Sequence, residues 1–192
     1  MAGWFFDVPI LKSPGHSFLD TTFISALCFV MVGIILFFLS KVVHSKPEAG
    51  DLISLAATLV ILILITSTLI SKLIGIDIGV ENLFKKERLC SIFSVCPGQP
   101  SVATMVGFII VALSDIIIKC GCRRVRPLFI SGGVVIFAMG LVAVLGYVFH
   151  NSYMMFYFPG FSSAVSIYSA ALFTLIGAAL ITLGAGHNNL PA

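Results

Sequence analysis

The sequence predicts an all-α polytopic membrane protein, a bundle of five transmembrane helices. Of its 192 residues, 59% are hydrophobic and only 10% carry charge, and the mean hydropathy is +1.13. Soluble domains average about 45–50% apolar and about 25% charged residues, and a water-soluble fold of this length could not bury so much apolar surface. The composition therefore excludes a disordered chain, a nucleic-acid binder and nearly all soluble enzymes.

The first two spans are long apolar runs with charge only near their ends. A bilayer core about 30 Å thick needs roughly 20 apolar residues of helix. The first run, 18–43, is interrupted only by Asp20 and Lys41, and the second, 52–75, holds an unbroken aliphatic stretch over 59–65. Both runs are too long and too uniformly apolar for the buried helix of a soluble protein.

The other three spans follow after a longer loop. The third, 102–118, is the shortest and carries Asp115 close to its end, and the fourth and fifth cover 128–149 and 163–184. Backbone groups in lipid must be satisfied internally, so each run is expected to be helical. None shows the alternation of a β-barrel strand.

The chain divides at the end of its first span. Residues 1–50 form an N-terminal segment with the first helix, and residues 51–192 form a four-helix bundle with an outer loop over 76–100. The first 17 residues lack the basic region and short apolar core of a secretory signal peptide. The first span is therefore expected to remain in the mature protein.

Basic residues in the short loops predict the orientation. The loop after the first span holds Lys41 and Lys46, and the loop after the third holds the densest basic cluster: Lys119, Arg123, Arg124 and Arg126. Placing both loops in the cytoplasm puts the N-terminus outside and the C-terminus inside. The cluster sets this topology and is expected to contact anionic lipid head groups.

Two pairs of cysteines flank the third span. Cys90 and Cys96 lie in the outer loop with five residues between them. Outside the cytosol such a pair usually forms a disulfide, although two free thiols remain an alternative. Cys120 and Cys122 lie beside the basic cluster, where idle thiols, palmitoylation and redox chemistry all stay open.

Three spans share a pattern of a hydroxyl, a Phe and a small residue at steps of four. Such steps keep the three residues on one helix face, and small residues there allow helices to pack closely. The pattern is typical of ordinary membrane-helix packing; an old duplication of a helical hairpin is the alternative. The three sets are Ser25, Phe29 and Gly33; Thr104, Phe108 and Ala112; and Ser169, Phe173 and Gly177.

Ionisable residues within the spans are few and close to span ends. Asp20 and Asp115 are expected to snorkel or to cap a helix, and Lys72 to snorkel. No acidic or histidine relay crosses the bilayer centre, which argues against a proton pump or an ion-coupled transporter. No phosphate loop, nucleophile elbow or metalloprotease signature occurs, so we expect no enzyme, no metal and no cofactor.

An aromatic segment precedes the fifth span. Its interface candidates are Tyr153, Phe156, Tyr157 and Phe158. An aromatic belt at the level of the lipid head groups explains the segment. A contact surface for a protein or a lipid is the alternative.

Residues 51–185 resemble the tetraspan superfamily of claudins, peripheral myelin proteins and calcium-channel gamma subunits. The matching pieces are an outer loop with Asn82-Leu83-Phe84-Lys85 before two cysteines, a basic turn over 120–127, the sequence Ile130-Ser131-Gly132-Gly133, and the small-residue run 170–180. The loop lacks the tryptophan of the family signature and is shorter than a claudin loop. This resemblance implies a helical bundle that acts through lateral and head-on protein contacts.

A second set of residues is similar to the membrane input regions of bacterial sensor kinases and cyclases. It comprises Pro14-Gly15 with Ser25-Ala26-Leu27-Cys28-Phe29, and Leu145-Gly146-Tyr147 with Pro159-Gly160-Phe161. This resemblance implies a module that passes a signal to a catalytic output protein.

The sequence thus predicts a non-catalytic protein that works through other membrane proteins and the lipid bilayer. An accessory or structural subunit, or a claudin-like junction component, is the first hypothesis. A sensor that reads a small ligand or lipid between its helices is the alternative, and a transporter is the third.

Overall fold

The bundle contains five α-helices in a computed structural model that describes residues 22–42, 50–74, 100–119, 125–158 and 162–186. No strand occurs within these ranges; the only extended pairing described is one bridge between Phe158 and Ser162. The helices are α1 (Phe23–Val42), α2 (Gly50–Ile74), α3 (Val102–Lys119), α4 (Val125–Val148) and α5 (Ile167–Gly186).

Four of these helices are long and apolar enough to cross a membrane. Their qualifying stretches are Phe23–Ser40, Leu52–Ile74, Pro127–Val148 and Ile167–Ala185. The apolar stretch of α3, Val102–Ile117, is shorter. The prediction of an all-α, membrane-embedded helical protein is therefore confirmed at this level.

Hydroxyl side chains determine where α1, α3 and α5 begin. In each helix, the residue before the first turn accepts a hydrogen bond from the backbone three residues later, which satisfies one free N–H group of the helix start. The three bonds run from Ser25 N–H to Thr22 Oγ1 (3.3 Å), from Thr104 N–H to Ser101 Oγ (3.2 Å) and from Ser169 N–H to Ser166 Oγ (3.2 Å).

The cap on α5 shortens that helix relative to the span read from the sequence. The sequence pattern places the start at 163, whereas the helix begins at Ile167 because Ser166 occupies the capping position. Residues 162–166 are buried but not helical. We call the side of the bundle where α1, α3 and α5 begin the cap end, and the opposite side the Lys119 end.

Two glycines bring α4 and α5 into backbone contact. A Cβ added at Gly140 would lie 2.6 Å from the backbone nitrogen of Thr174, and one added at Gly177 would overlap the backbone of Phe137. No side chain larger than hydrogen fits at either position. Small residues are the usual means by which membrane helices approach this closely.

All five helices contribute to one hydrophobic core. Its fully buried members include one residue from each helix: Val32, Ile61, Phe108, Ile136 and Leu180. The N-terminal helix α1 therefore packs into the same core as the four helices that follow it.

The described parts of the connection between α4 and α5, residues 149–158 and 162–166, form a cover on the cap end. The Tyr147 hydroxyl donates to the Val165 carbonyl at 2.7 Å, and the Val165 N–H donates to the Met155 carbonyl at 3.0 Å. His150 and Phe156 adopt positive φ angles of 52° and 58°, which are uncommon for residues with a Cβ.

Candidate functional site

The most unusual polar group in the bundle is Asp115, in the penultimate turn of α3. The residue is only 1% exposed and faces α2. An ionised carboxylate in such a place requires charged or hydrogen-bonding partners, because desolvation otherwise makes it very costly.

The partners of Asp115 come from both helices. Ser54 Oγ donates to Oδ1 at 3.2 Å, and Thr58 Oγ1 lies 2.5 Å from Oδ2. The Lys119 ammonium contacts Oδ2 at 2.7 Å and also donates to Ser54 Oγ at 2.8 Å. We call Ser54, Thr58, Asp115 and Lys119 the polar cluster.

The polar cluster joins α2 to α3 near the Lys119 end. Asp115 and Lys119 lie four residues apart on one helix face, the spacing at which oppositely charged side chains meet. Ser54 and Thr58 also lie four apart, so their hydroxyls face the carboxylate together. Charge and hydrogen-bonding capacity are thus balanced within the polar cluster, which links α2 and α3 through polar interactions.

This geometry differs from the expectation that Asp115 would snorkel or cap a helix. Its side chain is fully buried and directed sideways, because a neighbouring helix supplies two hydroxyl donors. Lys119, expected to face lipid head groups, is directed toward Asp115 and is 18% exposed.

A second candidate site is a phenylalanine contact that joins three helices. Phe29, Phe108 and Phe173 each lie seven residues after the cap of their helix. Their ring centroids are 4.8, 5.1 and 5.4 Å apart, within the range of favourable aromatic pairs. We call this group the phenylalanine hub; it makes the lateral positions of α1, α3 and α5 depend on one another.

The small residues of the repeated pattern differ in their surroundings. Ala112 is fully buried, and Gly177 lies against the backbone of Phe137. At Gly33, no heavy atom lies within 4 Å of the position that a Cβ would take. Ala112 and Gly177 thus take part in close helix packing, whereas Gly33 faces outward.

The aromatic interface candidates lie on the cover at the cap end. Tyr153 is 76% exposed and Phe158 is 49% exposed, whereas Phe156 and Tyr157 are partly buried. Tyr153 and Phe158 thus present aromatic surface on the outside of the cover.

Two cavities lie between α3 and α4. One, near the cap end, has a volume of about 220 Å³ and includes Val106 and Met139 in its walls. The other, toward the Lys119 end, has a volume of about 280 Å³ and includes Leu113 and Val135. We call this line of contact, with its two cavities, the α3–α4 seam.

Several of the predicted site residues lie outside the described residues. These are Cys90 and Cys96, with their predicted disulfide, the alternative thiols Cys120 and Cys122, and the basic residues Arg123 and Arg124. Arg126 belongs to the first turn of α4.

Ser54 and Thr58, the hydroxyl partners of Asp115, are not identified by the sequence alone. Their four-residue spacing near the start of a span was the available signal, but it did not show which helix they would face. No protein-family model, curated protein or solved structure matches this chain. The fold and the site describe an all-helical protein that has four helices apolar enough to cross a membrane and a buried polar cluster between α2 and α3.

Proposed function

We propose that this chain is a non-catalytic membrane sensor module that reads a lipid or another lipophilic ligand between its helices. The observation that carries the proposal is the phenylalanine hub, in which Phe29, Phe108 and Phe173 meet from three separate helices. A ligand that displaces one of these helices must disturb the other two, because close-packed contacts transmit displacement.

Two further features support this role over that of a passive anchor. The α3–α4 seam offers a place between helices where a ligand from the bilayer can enter. The residues Ser25-Ala26-Leu27-Cys28-Phe29, which resemble the input regions of sensor kinases and cyclases, include the α1 contribution to the hub. The module would act on a partner protein that holds the catalytic output.

The proposal includes five membrane crossings, with the N-terminus outside and the C-terminus in the cytoplasm. In this arrangement α3 is the shortest crossing, and the basic connection between α3 and α4 lies in the cytoplasm, as the positive-inside rule favours. The end of α5 then emerges on the side where a kinase or cyclase would operate.

Extraction of the native membrane into nanodiscs tests the function. The chain should co-purify in fixed stoichiometry with an output protein, a kinase or a nucleotide cyclase. Phe173→Leu, which loosens the hub while keeping an apolar core, should retain that partner and change its basal activity. Isolation of the chain alone, or an output indifferent to Phe173→Leu, would contradict the proposal.

An accessory or structural subunit, including a claudin-like junction component, is the second candidate. It is favoured by the outward face of α2, which carries large exposed aliphatic side chains, among them Leu52, Ile63 and Leu73, exposed by 72%, 67% and 65%. Such a face can pack against a neighbouring membrane protein.

A pair of matched substitutions tests this second role. Ile63 on α2 and Leu175 on α5 are both 67% exposed. If α2 docks a partner, Ile63→Trp should release that partner while Leu175→Trp should not. Equal retention by both variants would show that the α2 face meets only lipid.

A further inference from the structure

Turn hydrogen bonds hold residues 149–158, the first part of the cover, together as one unit. The Met155 N–H donates to the Asn151 carbonyl at 3.3 Å, and the Tyr157 N–H donates to the Ser152 carbonyl at 3.1 Å. Because these two bonds overlap along the chain, the first part of the cover moves as a body.

Val165 joins this unit to the second part of the cover. The Tyr147 hydroxyl donates to the Val165 carbonyl at 2.7 Å, and the Val165 N–H donates to the Met155 carbonyl at 3.0 Å. Phe158 and Ser162 also exchange two backbone hydrogen bonds, at 3.0 and 3.1 Å. A movement of the first part of the cover therefore displaces the residues around Val165.

The residues around Val165 reach the starts of two helices. We call residues 162–166, which are all buried, the linking segment. Ser162 Oγ accepts a hydrogen bond at 3.2 Å from the N–H of Val102, the first residue of α3, and Ser166 caps α5. Both bonds satisfy first-turn N–H groups that have no partner within their own helix. The linking segment therefore fixes the starts of α3 and α5 together.

The starts of α3 and α5 lie about two helical turns from the phenylalanine hub. Phe108 and Phe173 each follow the cap of their helix by seven residues, which is about 10 Å along a helix axis. Their rings contact each other with centroids 5.4 Å apart. A displacement of the linking segment therefore moves two of the three rings of the hub.

Two residues of the cover have an unfavourable backbone conformation. His150 and Phe156 have φ angles of 52° and 58°, in the left-handed region that a Cβ disfavours. Residues keep such angles only where the surrounding contacts impose them. Phe156 directly follows Met155, whose carbonyl accepts the bond from Val165. Loss of the contacts at Val165 would therefore allow the cover to relax.

The cover also forms part of the α3–α4 seam. The cavity near the cap end includes in its walls Phe156 and Phe158 from the cover and Ser162 from the linking segment. A molecule that enters this cavity therefore contacts the cover directly.

We infer that the cover is the input element of the module, and that the hydrogen bonds of Val165 couple its position to the starts of α3 and α5. In the structure, Tyr147 holds Val165 and the phenylalanine hub is fixed. In a released state the Tyr147–Val165 bond is broken, the cover relaxes, and both helix starts loosen together. The role as an input rests on the sensor function proposed above, but the coupling itself does not.

Amide hydrogen–deuterium exchange of the full chain in nanodiscs tests the coupling. Tyr147→Phe removes only the hydroxyl that bonds to Val165. Exchange at the starts of both α3 and α5 should rise about fivefold, the effect of losing one hydrogen bond of ordinary strength. Tyr153→Phe is the matched control, because it removes the same group from a cover side chain that is 76% exposed. It should leave both helix starts unchanged.

Two serine substitutions separate the branches of the coupling. Ser162→Ala removes the acceptor at the start of α3 and should raise exchange there alone. Ser166→Ala removes the cap of α5 and should raise exchange at the start of α5 alone. Only Tyr147→Phe, which acts on the cover itself, should affect both helices.

The inference is overturned if folded Tyr147→Phe changes neither helix start, or only one of them. It is also overturned if exchange rises equally in the buried middle of α2, around Ile61, because the hydroxyl would then stabilise the whole bundle. Should Tyr147→Phe not fold, Ser162→Ala decides: a rise confined to the start of α3 supports the coupling, and unchanged exchange there contradicts it.

These failures are distinct from failure of the sensor function, because exchange is measured without any output protein. The sensor function fails separately if no partner co-purifies from the native membrane.

Discussion

At the scale of single residues, the two charges of the polar cluster are not equivalent. The Asp115 side chain is fully buried, whereas Lys119 keeps 18% of its side chain exposed. A lysine near a helix end can extend its ammonium group toward the membrane surface, but the carboxylate of Asp115 has no comparable route. Removing the lysine should therefore be more damaging than removing the aspartate.

This asymmetry predicts an order of stabilities. Lys119→Met leaves a buried carboxylate with only two hydroxyl donors, a change expected to cost about 3–5 kcal/mol of unfolding free energy. Asp115→Leu should cost less, on the order of 1–2 kcal/mol of unfolding free energy. In that variant the Lys119 ammonium can still donate to Ser54 Oγ and can extend toward the membrane surface. The double variant should be more stable than Lys119→Met alone, since no unpaired charge remains.

Denaturant titration in mixed micelles measures all three variants. Ser114→Ala is the control, because its hydroxyl bonds only to a carbonyl of its own helix and should matter little. If the costs of Lys119→Met and Asp115→Leu simply add in the double variant, the two charges are not energetically coupled and the predicted order of stabilities is wrong.

The polar cluster contains one contact that the sequence predicts and two that it does not. The four-residue spacing of Asp115 and Lys119 is local and visible in the sequence. The bonds to Ser54 and Thr58 join residues separated by 61 and 57 positions. Such contacts depend on which faces of two helices meet, and hydropathy carries no information about that choice.

At the scale of helices, glycines decide how closely neighbours pack. Gly177 lies where any side chain would overlap the backbone of Phe137, whereas Gly33 has open space around it. The sequence grouped both as packing positions because each lies four residues after a phenylalanine. The pattern is the same, but only one of the two glycines meets a neighbouring helix backbone.

The same substitution at these two sites should have opposite effects. Gly177→Ala must push α4 and α5 apart and is expected to cost about 1–3 kcal/mol. Gly33→Ala should be neutral or stabilising by about 0.5–1 kcal/mol, since alanine is the better helix former. Thermal unfolding of the two purified variants against wild type measures the difference; equal melting temperatures would show that the α4–α5 contact is looser than described.

Helix positions were more predictable than helix ends. The five apolar runs coincide with the five helices because lipid requires long hydrocarbon-faced segments. The ends of α1 and α5 depend on capping by Thr22 and Ser166, single hydroxyls within sequences that also suit a continuing helix.

At the scale of the whole molecule, the bundle consists of a tight pair, α4 and α5, and a group of three helices, α1 to α3. The phenylalanine hub joins the two parts through α5, while the α3–α4 seam leaves them loosely packed on another side. Motion of one part against the other would therefore open or close the seam while the hub maintains contact. This division could not be predicted from the sequence, because all five spans are similarly apolar.

The number of membrane crossings depends on α3. At 1.5 Å per residue its 18 residues extend about 27 Å, slightly less than a bilayer core of about 30 Å. Local thinning of the bilayer accommodates such a mismatch at modest cost. Five crossings place the chain ends on opposite sides, whereas a chain in which α3 does not cross has both ends on one side.

Single cysteines in a cysteine-free background distinguish these arrangements. With a membrane-impermeant maleimide, Gly3→Cys should be labelled in intact cells and His187→Cys only after permeabilisation, while Ile63→Cys on the lipid-facing side of α2 should resist both treatments. The reverse pattern for the two ends would invert the orientation but keep five crossings. Labelling of both ends from the same side would show that α3 does not cross, and would remove the basis for placing the Lys119 end in the cytoplasm.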